Sequence, residues 1–374
     1  MRFVKRGRFK TLAVLAAATL GLSACADPQG VGGGGEGSED ASMPSRVNLL
    51  IPYDEGGGTD IWARFLAPYL EKHVEGGANY TPENVPGGES ITGSNEFVEQ
   101  RGTDGSTLLV TSGTTYFQAL LGRPEVKFDF AKMIPLILNG TGGVIFASPD
   151  SGIESIEDLK NPPSKLTYGG ISATGLDLSM LQAFDVLDVD LEATFGFEGR
   201  GPALLAFQRG EVNVDYQTTS AYLTQVQPLV DEGKAIPLMS FGVLEDGEIV
   251  RDPNVPDLPT VEEVYQELNG EEPSGPAYEA YRSFLVPGFV YQKGLWANEG
   301  TPDSIIQAYW DSVDKIAEDE EFQKASEDVL GGYPLYSGED ARDDLTEAFQ
   351  IEDDVRQYTL DMLKNEYDTT VEGS

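Results

Sequence analysis

The sequence predicts an α/β chain built from two bodies of mostly parallel sheet, and three observations carry that reading. Short apolar runs alternate with amphipathic stretches, which is the pattern of successive β-α-β units. The length, 374 residues, exceeds one ordinary domain at ~150 residues each. Clusters of Gly, Ser and Thr follow several apolar runs directly, as strand-to-helix loops do.

The chain opens on a processing signal. Arg2, Lys5, Arg6, Arg8 and Lys10 form a positive segment, and residues 11–22 are apolar and end in Leu22-Ser23-Ala24-Cys25. That apolar stretch is too short to span a bilayer as a mature helix. Leu-Ser-Ala-Cys resembles the lipobox of bacterial lipoproteins, which implies a lipoprotein signal peptide over residues 1–25 and lipidation of Cys25. An ordinary cleaved secretory signal with a chance cysteine is the alternative. Residues 26–45 read as a Gly-rich tether with no apolar periodicity, with an r.m.s. span of about 25 Å.

After the tether, residues 47–52 read as a buried strand that runs into Tyr53-Asp54-Glu55-Gly56-Gly57-Gly58-Thr59. A helix begins near Asp60 with Ile61, Phe65, Leu66 and Leu70 on one face and Thr59 as its cap, and Pro68 should kink it. Further strands are expected at residues 107–111, 144–147, 165–169, 193–197, 212–215 and 236–241. Ser155-Ile-Glu-Asp158, Thr260-Val-Glu-Glu263 and Ser337-Gly-Glu-Asp340 read as capping boxes, and Thr301-Pro302 opens a helix running to about Glu318. The runs 144–147 and 236–241 read as crossover strands bracketing one α/β set. The expected lobes are therefore 46–146 plus 240–374, and 147–239.

Composition removes whole classes of function. With 25 basic and 63 acidic residues the net charge is −38, and five of the basic residues lie in the first 25, so the remaining chain carries −43. Such a chain repels phosphate backbones and anionic headgroups, and nucleic-acid binding is not expected. One cysteine and one histidine are too few for zinc clusters or structural disulfides. His73 could serve a Ser-His-Asp relay only with a positioned partner, and its place at a helix end suits a partly exposed cap. No G-x-S-x-G elbow or Walker sequence occurs. Trp62, Trp296 and Trp310 suit packing, and the acidic run 311–320 suits a solvated helix face. No catalysis, cofactor or metal is expected.

The chemistry points to the loops. Residues 53–60, Thr111-Ser112-Gly113-Thr114-Thr115 and Gly169-Gly170-Ile171-Ser172-Ala173-Thr174-Gly175 each follow a strand. Glycine lets a ligand approach the backbone, hydroxyls donate, and a helix N-terminus presents free N–H groups with partial positive charge, so such loops hold a carboxylate without arginine. Ordinary turn chemistry explains any one loop alone. Three in one α/β chain favour a cleft at the carboxyl ends of the strands.

At this point a resemblance becomes specific. LLIPYDEGGGTDIWARFLAPYLEKH resembles the opening of the substrate-binding proteins of tripartite tricarboxylate transporters, the Bug-type receptors, with their T-D-x-x-A-R helix. Glu83-Asn84-Val85-Pro86-Gly87-Gly88 is similar to their E-N-x-P-G block, and Asp104-Gly105-Ser106-Thr107-Leu108-Leu109 to D-G-Y-T-L-L. Farther on, Lys165-Leu166-Thr167-Tyr168-Gly169 matches the second-lobe strand. Gly199-Arg200-Gly201-Pro202-Ala203 and Gly210-Glu211-Val212-Asn213-Val214 resemble G-x-G-P-A and G-x-V-D-V. Residues 255–261 and 297–302 resemble P-D-V-P-T-V and A-P-x-G-T-P.

The resemblance implies a two-lobed periplasmic-binding-protein-like fold, two Rossmann-like lobes joined by crossover strands, with an organic carboxylate held between them and delivered to an integral-membrane permease. It implies first-lobe contacts at Tyr53, Gly56, Gly57, Gly58, Thr59 and Asp60, with Thr111, Ser112 and Thr114 beside them. Second-lobe contacts would be Gly170, Ser172, Ala173, Thr174 and Asp177, with Thr218 and Ser220. Asp54-Glu55, Asp177 near a usual histidine, and Glu198 at a position often lysine depart from the pattern and argue against a small polyanion such as citrate. The expected protein is a monomeric, extracytoplasmic solute receptor, lipid-anchored through Cys25. A ligand-presenting sensor subunit docking on a signalling receptor is the alternative.

Overall fold

A computed structural model describes residues 42–371 apart from 246; the signal segment, Cys25 and nearly all of the tether lie outside the described residues. Strand β1 (Arg46–Ile51) leads through helix α1 (Gly58–His73) to β2 (Asn79–Asn84), and helix α2 (Ile91–Gln100) leads on to β3 (Thr107–Thr111). Both partners lie parallel to β1, one on each side. Helix α3 (Gly113–Leu120) and β4 (Ile134–Asn139) follow.

The chain then enters a second sheet with β5 (Gly143–Ala147), β6 (Leu166–Gly170), helix α4 (Asp177–Val186), β7 (Leu191–Phe195), helix α5 (Arg200–Gln208), β8 (Val214–Thr218) and β9 (Ile236–Ser240). A hairpin of β10 (Val243–Glu245) and β11 (Glu248–Val250) precedes β12 (Lys293–Ala297) and β13 (Leu335–Ser337). The six-stranded sheet has the order β13-β4-β12-β3-β1-β2 and the five-stranded sheet β7-β6-β8-β5-β9. Each therefore contains the same parallel unit, β2-β1-β3 in one and β7-β6-β8 in the other, with the central strand first in sequence. The order reverses direction at that central strand, and a crevice opens at its carboxyl end.

Burial explains the elements. β3 and β5 are buried along their whole length, as interior strands of a sheet covered on both faces should be. Helix α1 buries Trp62, Ala63, Leu66 and Leu70 against Leu49, Ile51, Leu108 and Val110. Its apolar face is rotated from the expected one, since Ile61 is 49% exposed while Trp62 and Ala63 are buried. The helix runs on through Pro68. Thr260 opens the helix Val261–Asn269 with a full capping box, Glu263 N donating to Thr260 Oγ1 at 3.2 Å and Thr260 N to Glu263 Oε2 at 2.9 Å. Ser155 caps the short helix Ile156–Lys160 likewise. Ser337 and Asp340 close a turn instead, because the helix starts only at Arg342. Pro302, not Thr301, takes the cap position of the helix Asp303–Ala317.

The passages between the sheets lie just outside the runs read as crossovers, which are β5 and β9, paired with each other. Residues 140–142 carry the chain across, and Thr141 N donates to Phe289 O at 2.8 Å in the segment that carries it back. Glycine is required here, because a Cβ on Gly142 would lie 2.0 Å from Asp252 Oδ2. Residues 240–374 divide their packing. β12 and β13 complete the first sheet, whereas the helix Pro276–Leu285 packs on α4 and on the helix Asp353–Tyr367.

Candidate functional site

The loop after β1 and the loop after β3 meet through hydroxyls. Ser112, which caps α3, donates to the Tyr53 hydroxyl oxygen at 2.8 Å, and Tyr53 lies 2.7 Å from Thr115 Oγ1. Burial pushes the Tyr53 hydroxyl above its ordinary range, so it stays a neutral donor. Beside it, Gly56, Gly57 and Gly58 are exposed, and α1 begins at Gly58. The backbone N–H groups of Gly58 and Thr59 have no hydrogen-bond partner among the described residues. They are first-turn donors of a sixteen-residue helix, where partial positive charge gathers.

Asp60 braces this loop. Its carboxylate accepts from Gly56 N at 2.9 Å, Arg64 Nε at 2.9 Å and Asn84 Nδ2 at 3.0 Å. The Arg64 bond, reinforced by the other two, holds the Asp60 carboxyl down at about 2. Only Gly56 of the three glycines has a positive φ, +79°, which explains glycine there; Gly57 sits at φ −73°. Thr111 faces the core, its hydroxyl 2.6 Å from Tyr116 OH and accepting from Trp296 Nε1 at 2.9 Å.

In the second sheet the loop after β6 is closed on itself. Asp177, 2% exposed at the start of α4, accepts from Ile171 N at 2.7 Å and Ser172 N at 2.9 Å through Oδ2. Its Oδ1 accepts from Tyr168 OH and from Arg200 at 3.1 Å. Arg200 also contacts Asp215 and stacks over the Tyr216 ring, 4.4 Å from its centroid. One guanidinium thus serves two buried carboxylates. Asp215 Oδ2 has no hydrogen-bond partner among the described residues, and burial pushes its carboxyl up to about 6.

The two loops face each other across the seam between the sheets. Gln118 of α3 donates to Thr174 O at 3.0 Å, and a Cβ on Gly113 would lie 2.5 Å from Leu176 Cδ2. Thr174 Oγ1 donates to Glu89 at 2.8 Å, and Arg123 donates to the same Glu89 oxygen at 2.8 Å. Ser172 Oγ lies 3.0 Å from Thr174 Oγ1. Of the expected residues, Tyr53, Gly56–Thr59, Ser112, Thr114, Ser172, Ala173 and Thr174 lie on these opposed loops. Gly170 ends β6, packed against Phe195, while Asp60, Thr111 and Asp177 point inward. Thr218 ends β8, and Ser220 backs onto Gly331.

Sequence reasoning passed over Glu89, Ser90, Gln118 and Arg123. Glu89 and Ser90 follow Gly87-Gly88 and both hold positive φ, 53° and 82°. Ser90 Oγ is buried with no hydrogen-bond partner among the described residues. A serine and a glutamate strained just after a double glycine were the available signal. His73 is a structural partner, Nε2 lying 2.7 Å from Asp319 Oδ2.

No family model matches the chain. The fold is that of the two-lobed periplasmic binding proteins. A TctC solute-binding protein from Polaromonas superposes with TM-score 0.61 at 21% identity, covering 82% of this chain and 96% of that one. MatC from Rhodopseudomonas palustris, with bound malate, superposes with TM-score 0.56 at 21% identity over 85% and 99% of the two chains. In sequence, the chain is 23% identical over 195 residues to protein BugT of Bordetella pertussis, which is 50% of this chain and 59% of that relative. The chain thus spans less than two thirds of the curated relative it matches. These comparisons fall on the Bug and TctC group of solute-binding proteins, whose motifs the sequence carries.

Proposed function

We propose that this protein is an extracytoplasmic solute receptor that captures an organic carboxylate between its two sheets and delivers it to a separate membrane permease. The observation that carries the reading is the exposed glycine run opening α1. The same loop carries Tyr53, whose hydroxyl meets those of Ser112 and Thr115. Donors without a full positive charge suit a carboxylate in a chain this acidic, because they act at short range against a repulsive overall field. Thr114, Ser90 and the second-lobe residues Ser172, Ala173 and Thr174 complete the contacts, and Asp60, Thr111 and Asp177 hold them in place. The structural neighbours bound to malate and to adipate support the ligand class.

The two lobes are carried by the two sheets, with the hydrogen-bonded crossings at Thr141 and Phe289 between them. Attachment is by lipid at Cys25 through the Gly-rich tether. None of the described helices is long and apolar enough to cross a membrane. A thermal-shift screen of mono-, di- and tricarboxylates, aliphatic and aromatic, tests the function, and a panel without a single stabilising acid refutes it. Cys25→Ser should release the protein from washed membranes with ligand affinity unchanged, and a retained mutant argues against lipidation.

A further inference from the structure

The geometry points to Asp177 as the residue that sets the ligand's charge: we propose that the receptor selects singly charged carboxylates over dicarboxylates, because the second-lobe loop already holds a carboxylate of its own. This rests on the carboxylate-receptor reading and narrows it. In the first lobe the N–H groups of Gly58 and Thr59 are open. In the second lobe Ile171 N and Ser172 N, at the start of the loop after β6, both donate to Asp177 Oδ2 at 2.7 and 2.9 Å. Thr174 N is directed to Ser172 Oγ at 3.3 Å and Gly175 N to Ser172 O at 3.1 Å.

The arginines nearest the two loops are already committed to acids of this chain. Among the described residues, each arginine that reaches these loops is paired: Arg64 with Asp60, Arg123 with Glu89, and Arg200 with Asp177 and Asp215. Glu89 itself lies at the seam, accepting from Thr174. A second carboxylate entering the cleft would thus meet like charge and occupied donors on the lobe opposite α1, which is rejection by repulsion as well as by absent contacts. The ligand's far end is neutral there, able to lie against the exposed Ile171.

Calorimetry on the mature protein with pairs of acids that differ by one terminal carboxylate, hexanoate and adipate, benzoate and terephthalate, tests this directly. Wild type should bind the monocarboxylate of a pair about tenfold or more tighter, the loss expected when a charged group forfeits its hydrogen bonds. Asp177→Ala frees both N–H groups and should erase or reverse that ratio, with Asp177→Asn moving it the same way if the alanine variant does not fold. A wild type that binds the dicarboxylate equally or better overturns the proposal, as does a folded Asp177→Ala with an unchanged ratio. Failure of every acid to bind overturns the receptor reading itself and the proposal with it.

Discussion

Loop 52–57 and loop 171–176 occupy the same place in the two sheets, and each is braced by an aspartate from the helix it introduces. Asp60 takes one loop N–H and leans on Arg64, whose side chain is 46% exposed; Asp177 takes two and leans on Arg200, whose side chain is 19% exposed and shared with Asp215. The same device is therefore used at two strengths. The lightly braced loop keeps donors free for a guest, and the heavily braced one has become part of the wall.

The comparison breaks most visibly at the arginines. Arg200→Met leaves Asp177 and Asp215 buried without their cation and should cost about 3–5 kcal/mol, whereas Arg64→Met should cost about 1 kcal/mol or less; urea unfolding of both variants at neutral pH checks the gap, and equal losses would dissolve the distinction. Next in size is the guest's own hold on the open loop. A Cβ on Gly58 meets nothing within 4 Å, so Gly58→Val projects into the space before the helix and should weaken acid binding by about tenfold, with circular dichroism unchanged. Gly56→Ala tests the brace rather than the guest. Its φ of +79° should cost about 1 kcal/mol of stability, read as a lower melting temperature.

The smallest effect is in pH. Asp215 titrates near 6 in the folded chain, above its ordinary value of 3.8, so the native state holds an extra proton between these values. Its contribution to stability is full below pH 3.8 and falls as pH rises through about 6. Asp60 has the opposite sign, since its contribution is present above pH 3.8 and is lost as pH falls through about 2. Relative to wild type, Asp215→Asn should lose the fall in stability between about pH 4 and 6, so that its unfolding midpoints gain on those of wild type as pH rises through that range, and parallel curves would show that Arg200 keeps Asp215 ionised.

Much of this architecture was legible because buried strands read as apolar runs: 107–111 coincides with β3, and 144–147 and 236–241 fall on β5 and β9. Strand β2, NYTPEN, was missed because it is polar, contains Pro82 and lies at the sheet edge, where alternation is weak. β4, IPLILN, was passed over although Asn139-Gly140 and Gly142-Gly143 mark a break between it and β5. Helix starts were legible from their glycines and hydroxyls, and so were the loops that precede them. Which way a carboxylate turns was not. Asp60 and Asp177 stand at helix starts beside the loops, and only the positions of Gly56, Ile171, Arg64 and Arg200 in space decide that both face inward. Glu89 and Arg123 lie 34 positions apart, and the meeting of Arg123 and Thr174 on one Glu89 oxygen is a property of the assembled seam.

The self-bracing of the second loop bears on how such a receptor diversifies. An aspartate codon is a single nucleotide away from codons for Asn, His, Ala and Gly, so the residue that closes Ile171 N and Ser172 N can be exchanged in one mutational step. Arg200 would keep Asp215 as a partner after that exchange, and the core beneath the loop would retain its packing. One substitution can therefore reopen this loop while the fold is kept.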